Sequence, residues 1–107
     1  MSALSNYLEN ALISHVLRNT AFTTPGTSVY VGLIKFYETD KLEAGTLTQE
    51  VSGGSYARVQ VTAWDAPSNG ATQNTGAATF PTSTADWGMV SGVFIADAST
   101  SGNVLLH

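Results

Sequence analysis

The sequence predicts a mainly β fold: an antiparallel β-sandwich or barrel-like domain of five to seven strands preceded by one N-terminal α-helix. Three observations predict it. Helical periodicity is confined to residues 2–19, short runs of β-branched and aromatic residues recur after it, and Gly, Asn and Pro turn signals separate those runs. With 107 residues there is enough chain for one core. The expected organisation is a single domain, 1–107, with the helix at 2–19 and the β-sandwich at 28–107, including a charged loop at 38–50.

The helix begins at Ser2 or Ser5, either of which can serve as N-cap, and meets no Gly or Pro before Asn19. Leu4, Leu8, Ala11, Leu12, His15 and Val16 form one stripe. Ile13 and Leu17 fall on the opposite side, so the helix is apolar around most of its circumference, as expected of one covered twice. One cover is its own sheet; the other is a neighbouring subunit or the loop that follows. Pro25-Gly26 then marks a turn.

Val29 to Tyr37 reads as a central strand, apolar on both faces, with Gly32 open to close packing by another backbone. From Glu38 to Glu50 the composition shifts. Glu38, Asp40, Lys41, Glu43 and Glu50 crowd a stretch without regular periodicity, expected to be a solvated loop or a protruding hairpin. Gly53-Gly54 then hinges the chain into a strictly alternating run. Tyr56, Arg58, Gln60, Thr62 and Trp64 point one way, and Ala57, Val59, Val61 and Ala63 the other. Asn69-Gly70 is a hairpin-turn signal. A weaker strand over 74–80 ends at Pro81, Met89 to Ala96 reads as a buried strand, and 99–103 turns the chain into a terminal strand at 104–106.

Four basic and eight acidic residues make the chain 11% charged, against about 25% in an average domain. A surface this neutral favours an assembly subunit. The cations Arg18, Lys35, Lys41 and Arg58 are scattered, with no basic patch for phosphates, so nucleic acid is not an expected partner. No apolar run approaches the roughly 20 residues of a membrane span, and the first residues lack the pattern of a signal peptide, so neither a membrane partner nor export is expected. There is no cysteine, which removes disulfides and thiolate metal sites.

Catalysis needs titratable groups brought together, and the motifs that do this are missing: no His-x-His, no Glu-x-x-His, no Gly-x-Ser-x-Gly and no phosphate loop. No catalytic, cofactor-binding or metal residues are expected. His15 reads as a buried structural histidine within the apolar stripe. Asp65, Asp86 and Asp97 lack calcium-loop spacing and read as turn caps. Arg58 carries more information, because it lies between Tyr56 and Trp64 and requires a carboxylate, with Glu50 and Asp65 the candidates. It is a structural ion pair or an interface anchor, the pair being favoured. Gly53, Gly54, Tyr56, Arg58 and Glu50 thus form an expected structural turn and ion pair, and Ile13, Leu17, Tyr56, Trp64 and Trp87 an expected oligomer or partner contact. Trp64, Trp87 and Tyr56 also suggest a sugar platform, against which stands the commoner role of tryptophan as a core plug.

Several segments, in order along the chain, resemble one family. They are Met1-Ser-Ala-Leu-Ser-Asn-Tyr-Leu-Glu-Asn-Ala-Leu, Tyr30-Val-Gly-Leu, Glu50-Val-Ser-Gly-Gly-Ser-Tyr-Ala-Arg-Val, Phe80-Pro-Thr-Ser-Thr-Ala-Asp-Trp-Gly, Ile95-Ala-Asp-Ala and Gly102-Asn-Val-Leu. The sequence is similar to the small tailed-phage virion proteins known as phage tail fibre proteins. The segment 38–48 departs from that pattern, being longer and more acidic. The resemblance implies a non-enzymatic structural protein of the virion, assembled in the host cytoplasm as a symmetric homo-oligomer, trimer favoured. Its partners would be other virion proteins, either the major capsid protein, for a capsid-decorating cement protein, or tail proteins, for a fibre component. The alternative is a carbohydrate-binding module for host attachment.

Overall fold

The computed structural model describes residues 3–22 and 29–107. Ser2 and the Pro25-Gly26 turn lie outside them. One helix precedes a sheet of four antiparallel strands, so the fold is mainly β as the sequence reads, with fewer strands than the five to seven expected. The elements are α1 (Asn6–Leu17), β1 (Tyr30–Ile34), α2 (Thr39–Glu43), β2 (Val59–Gln60), β3 (Gly92–Ala96) and β4 (Val104–Leu106). The strands form one sheet in the order β2-β1-β3-β4.

Ser5 is the N-cap of α1. Its hydroxyl accepts from the Leu8 amide at 3.2 Å and donates to the Val104 carbonyl, while its own amide donates to Leu105 O at 2.8 Å. The cap therefore also fastens the helix to β4. Asn19, at a φ of 54°, ends the helix, with the Arg18 and Thr20 amides both donating to Ser14 O. Within one copy of the chain no residue of α1 is buried. His15, expected to be buried, is exposed, its Nδ1 lying 3.2 Å from Thr20 O, because the helix meets the sheet chiefly along β4 and half-buries Leu4, Leu8 and Ala11 while the C-terminal part of the stripe stays in solvent.

β1 is shorter than the expected 29–37 and β3 shorter than 89–96. They pair in register from Tyr30↔Ala96 to Ile34↔Gly92, and Phe94 falls opposite Gly32. A Cβ on Gly32 would lie 2.3 Å from the tip of the Phe94 ring, so the glycine admits an aromatic ring and not a second backbone. Ile34, Leu42, Phe94, Ala96 and Val104 form the core. Leu42 belongs to α2, which corrects the reading of 38–50 as a solvated loop: Asp40 and Lys41 stay outside while this one leucine anchors a single helical turn.

Two further expectations fail for want of a partner strand. Residues 74–80 form no strand; only Asn74 bridges, to Trp64. The alternating run 56–64 pairs with β1 only at Val59 and Gln60, and its buried members, Arg58 and Val61, are three apart, so the strict alternation is broken. Beyond Val61 the chain leaves the sheet as an exposed hairpin. There Asp65 N donates to Gln73 O, Thr75 N to Ala63 O, and Ser68 and Ala71 exchange both backbone bonds around Asn69-Gly70.

Candidate functional site

The densest polar structure among the described residues is built on Arg58. Segment 49–51 runs antiparallel to the end of β1, with Lys35 N donating to Gln49 O and Val51 N to Leu33 O, and this places Glu50 beside the strand. The Gly53-Gly54 turn reverses the chain and brings Arg58 back over Glu50. The guanidinium meets the carboxylate with both forks: Nε donates to Oε2 at 2.8 Å and Nη2 to Oε1 at 2.9 Å. Its third nitrogen, Nη1, donates to Ala98 O and Ser101 O, at 2.8 and 2.9 Å, in the turn joining β3 to β4. Beneath it lies the Phe94 ring, 5.0 Å from the guanidinium carbon. Gly32, Phe94 and Arg58 thus form one stack on a single face of the sheet.

Tyr56 completes the clamp. Its hydroxyl donates to Glu50 Oε2 at 2.8 Å and accepts from the Leu33 amide at 3.0 Å. Burial, with the Glu50 carboxylate adding to it, holds the phenol neutral well above its ordinary range, and the pairing with Glu50 strengthens the hold of Arg58 on its proton. Arg58 is only 9% exposed, and its charge is matched inside the fold. Of the two candidate carboxylates, Glu50 takes it. Asp65 instead accepts from Gln73 Nε2 at 3.0 Å.

The loop 80–88 closes over the glycine turn. Phe80 stacks on Tyr56 with centroids 6.3 Å apart, and Trp87 meets the same ring edge-on at 5.6 Å. The Trp87 indole N–H and the Thr84 amide both donate to Gly54 O, at 2.8 and 3.0 Å. Gly54 has a φ of +57°, and a Cβ there would lie 2.8 Å from the indole nitrogen, so neither the backbone angle nor the space admits a side chain. Trp87 is therefore the lid of a turn, not the plug of a core strand. The arrangement joins the Glu50–Arg58 and Phe80–Gly88 segments, thirty residues apart, into one unit.

The remaining expected residues are dispersed. Ile13 and Leu17 are exposed on α1, and Trp64, 37% exposed, lies on the hairpin. Asp86 accepts from Gly88 N at 2.8 Å, and Asp97 takes both the backbone and side-chain N–H groups of Asn103, so each holds its own turn. Among the described residues no three His, Cys, Asp or Glu gather as a metal site, and no helix is long and apolar enough to cross a membrane.

This arrangement belongs to a chain whose relatives can be named at the family level. Residues 3–107 match the family described as podophage GP4 fiber I protein gp80. The chain belongs to that family. The match covers the helix, the sheet, the clamp and the hairpin together, so the family's pattern is that of the whole fold. No curated protein matches the chain.

One buried polar residue carries no signal in the sequence. His107 is buried between Tyr37, whose hydroxyl lies 2.7 Å from its Nδ1, and Glu43, 3.9 Å from its Nε2. Its backbone exchanges both hydrogen bonds with Ala3. A lone histidine far from both partners in sequence gives no motif to read.

Proposed function

We propose that this protein is a non-enzymatic structural component of a podophage tail fibre, acting as a symmetric homo-oligomer within the virion. Membership of the fibre family over residues 3–107 is the observation that carries the reading, and it favours the fibre over a capsid-decorating role. The clamp supports it chemically. Glu50, Tyr56 and Arg58 spend their polar atoms on one another, on two backbone carbonyls and on the Leu33 amide, which rigidifies a scaffold and leaves no activated base or nucleophile within the clamp.

The oligomer is supported by α1. Ile13, Val16 and Leu17 are 55, 73 and 77% exposed on adjacent turns, an apolar surface suited to another protein subunit. Mass spectrometry of purified virions, immunogold labelling and light scattering of the isolated protein test the proposal. The expected results are presence in particles, label over the tail and a mass that is a multiple of the chain. Absence from particles, label confined to the head, or a monomer at every concentration would each sink the corresponding part. The half-exposed indole of Trp64 favours a second reading, glycan binding, which predicts hits on a glycan array that Trp64→Ala abolishes; an array without hits removes it.

A further inference from the structure

The sheet carries two unfinished surfaces on opposite edges. At the β4 edge, residues 3–5 pair with the strand through Leu4↔Leu106 and Ser5 N to Leu105 O, and α1 springs from there with its apolar residues in solvent. At the β2 edge, the chain runs past Val61 into the hairpin arm, 62–76, every residue of which is exposed. A two-stranded hairpin without a third layer is marginal in water. The arm is also nearly uncharged: Asp65 is its single ionic group.

The two surfaces complement each other. The exposed part of α1 ends in Ile13, Val16 and Leu17 followed by Arg18, and among the described residues Arg18 has no ion pair. Near its start the arm carries Trp64 followed by Asp65, whose only side-chain partner among the described residues is the neutral Gln73 amide. Each surface presents an apolar patch with one unpaired charge beside it, and the charges are opposite. Within one copy the two edges are separated by three interstrand spacings, about 14 Å. Between copies nothing separates them.

We propose that the arm 62–76 of one copy docks on the α1 face of the next, seating Trp64 against Val16 and Leu17 and pairing Asp65 with Arg18. The contact is heterologous, since each copy gives an arm from one edge and receives one at the other. Contacts of this kind use every surface once when the rotation closes into a ring. The proposal rests on the oligomeric reading above and specifies which surfaces make the oligomer.

The chain has no cysteine, so introduced cysteines report unambiguously. Val16→Cys and Ala66→Cys are both at exposed positions. With a short bismaleimide, the double variant is expected to give covalent multimers ending at the ring size, the two single variants co-expressed a covalent dimer, and each single variant alone only uncrosslinked chain. Independently, Arg18→Glu or Asp65→Arg alone is expected to raise the subunit dissociation constant about fivefold, and the two together to restore it. Circular dichroism of each variant verifies that the fold is intact. Self-crosslinking of Val16→Cys, or a double charge variant in which the losses add, overturns the docking while the oligomer stands. A wild-type monomer at all concentrations overturns both.

Discussion

Residues 56–61 and 62–76 follow one another in the chain, yet one is clamped against the sheet and the other projects into solvent. Each holds one aromatic and one charged residue, Tyr56 and Arg58 in the first, Trp64 and Asp65 in the second. The difference lies in what runs alongside. Up to Val61 the chain has β1 on one side, Glu50 beneath Arg58 and the 80–88 loop above Tyr56; beyond it the chain has only its own return strand. Alternation thus specifies an extended backbone, while burial is decided by neighbours brought from elsewhere. Stability should be concentrated on one side of Val61 and assembly on the other.

The largest effect is expected from Arg58→Met, which keeps the bulk over Phe94 but leaves Glu50 half-buried without its cation and strips two carbonyls of their donor. Removing one partner of a buried pair costs about 3–5 kcal/mol, to be read from urea unfolding. Next comes Gly54→Ala. The left-handed backbone and the displaced indole together should cost about 2–3 kcal/mol and shift Trp87 fluorescence toward that of a solvated ring. At Gly53, where φ is +75° but the space is open, alanine should cost only about 1 kcal/mol and leave the fluorescence unchanged. Equal losses at the two glycines would show that Trp87 does not lock the turn.

Tyr56→Phe removes a hydroxyl that both donates and accepts, and should cost about 1–2 kcal/mol by thermal melting. It should also change the alkaline response. Because the folded phenol holds its proton above the ordinary value near 10, the unfolded chain loses that proton first, and stability falls as pH rises from about 10 upward. The phenylalanine variant should show a shallower fall, and an unchanged slope would remove Tyr56 as its source. The smallest effect on folding is expected in the arm. Gly70→Ala strains a turn in which Asn69 and Gly70 both have positive φ, yet the global unfolding free energy should move by less than about 0.5 kcal/mol, while amide exchange in 64–74 accelerates. A global loss as large as that of Tyr56→Phe would join the arm to the core and break the comparison.

Much of the clamp was legible. An arginine among aromatics demands a carboxylate, Glu50 stood across a glycine turn, and Gly53-Gly54 declared that turn by composition. The loop 80–88 that locks it was not legible as a partner, because nothing local in Phe80-Pro or Asp-Trp-Gly says what the rings will face. The cover of α1 is not legible for a related reason. Apolar residues around a helix predict cover, and within one copy Ile13, Val16 and Leu17 lack it, because only the side of α1 toward β4 meets the sheet. Leu42 and His107 escaped because one apolar residue in a charged turn, and one histidine distant from Tyr37 and Glu43, have no periodicity to betray them.

The sequence by itself determined the class of the fold, the capped helix with Asn19 at its end, the Asn69-Gly70 hairpin and the chemistry of the Glu50–Arg58 pair, since each depends on residues close in the chain or on the fixed needs of one side chain. Only the tertiary structure decided which extended segments became strands, that Phe94 would fill the space over Gly32 and carry Arg58, and that the helix and the hairpin would face outward from opposite edges. Those outcomes depend on contacts between distant segments, where the free energy of burial is shared among partners that no local pattern names.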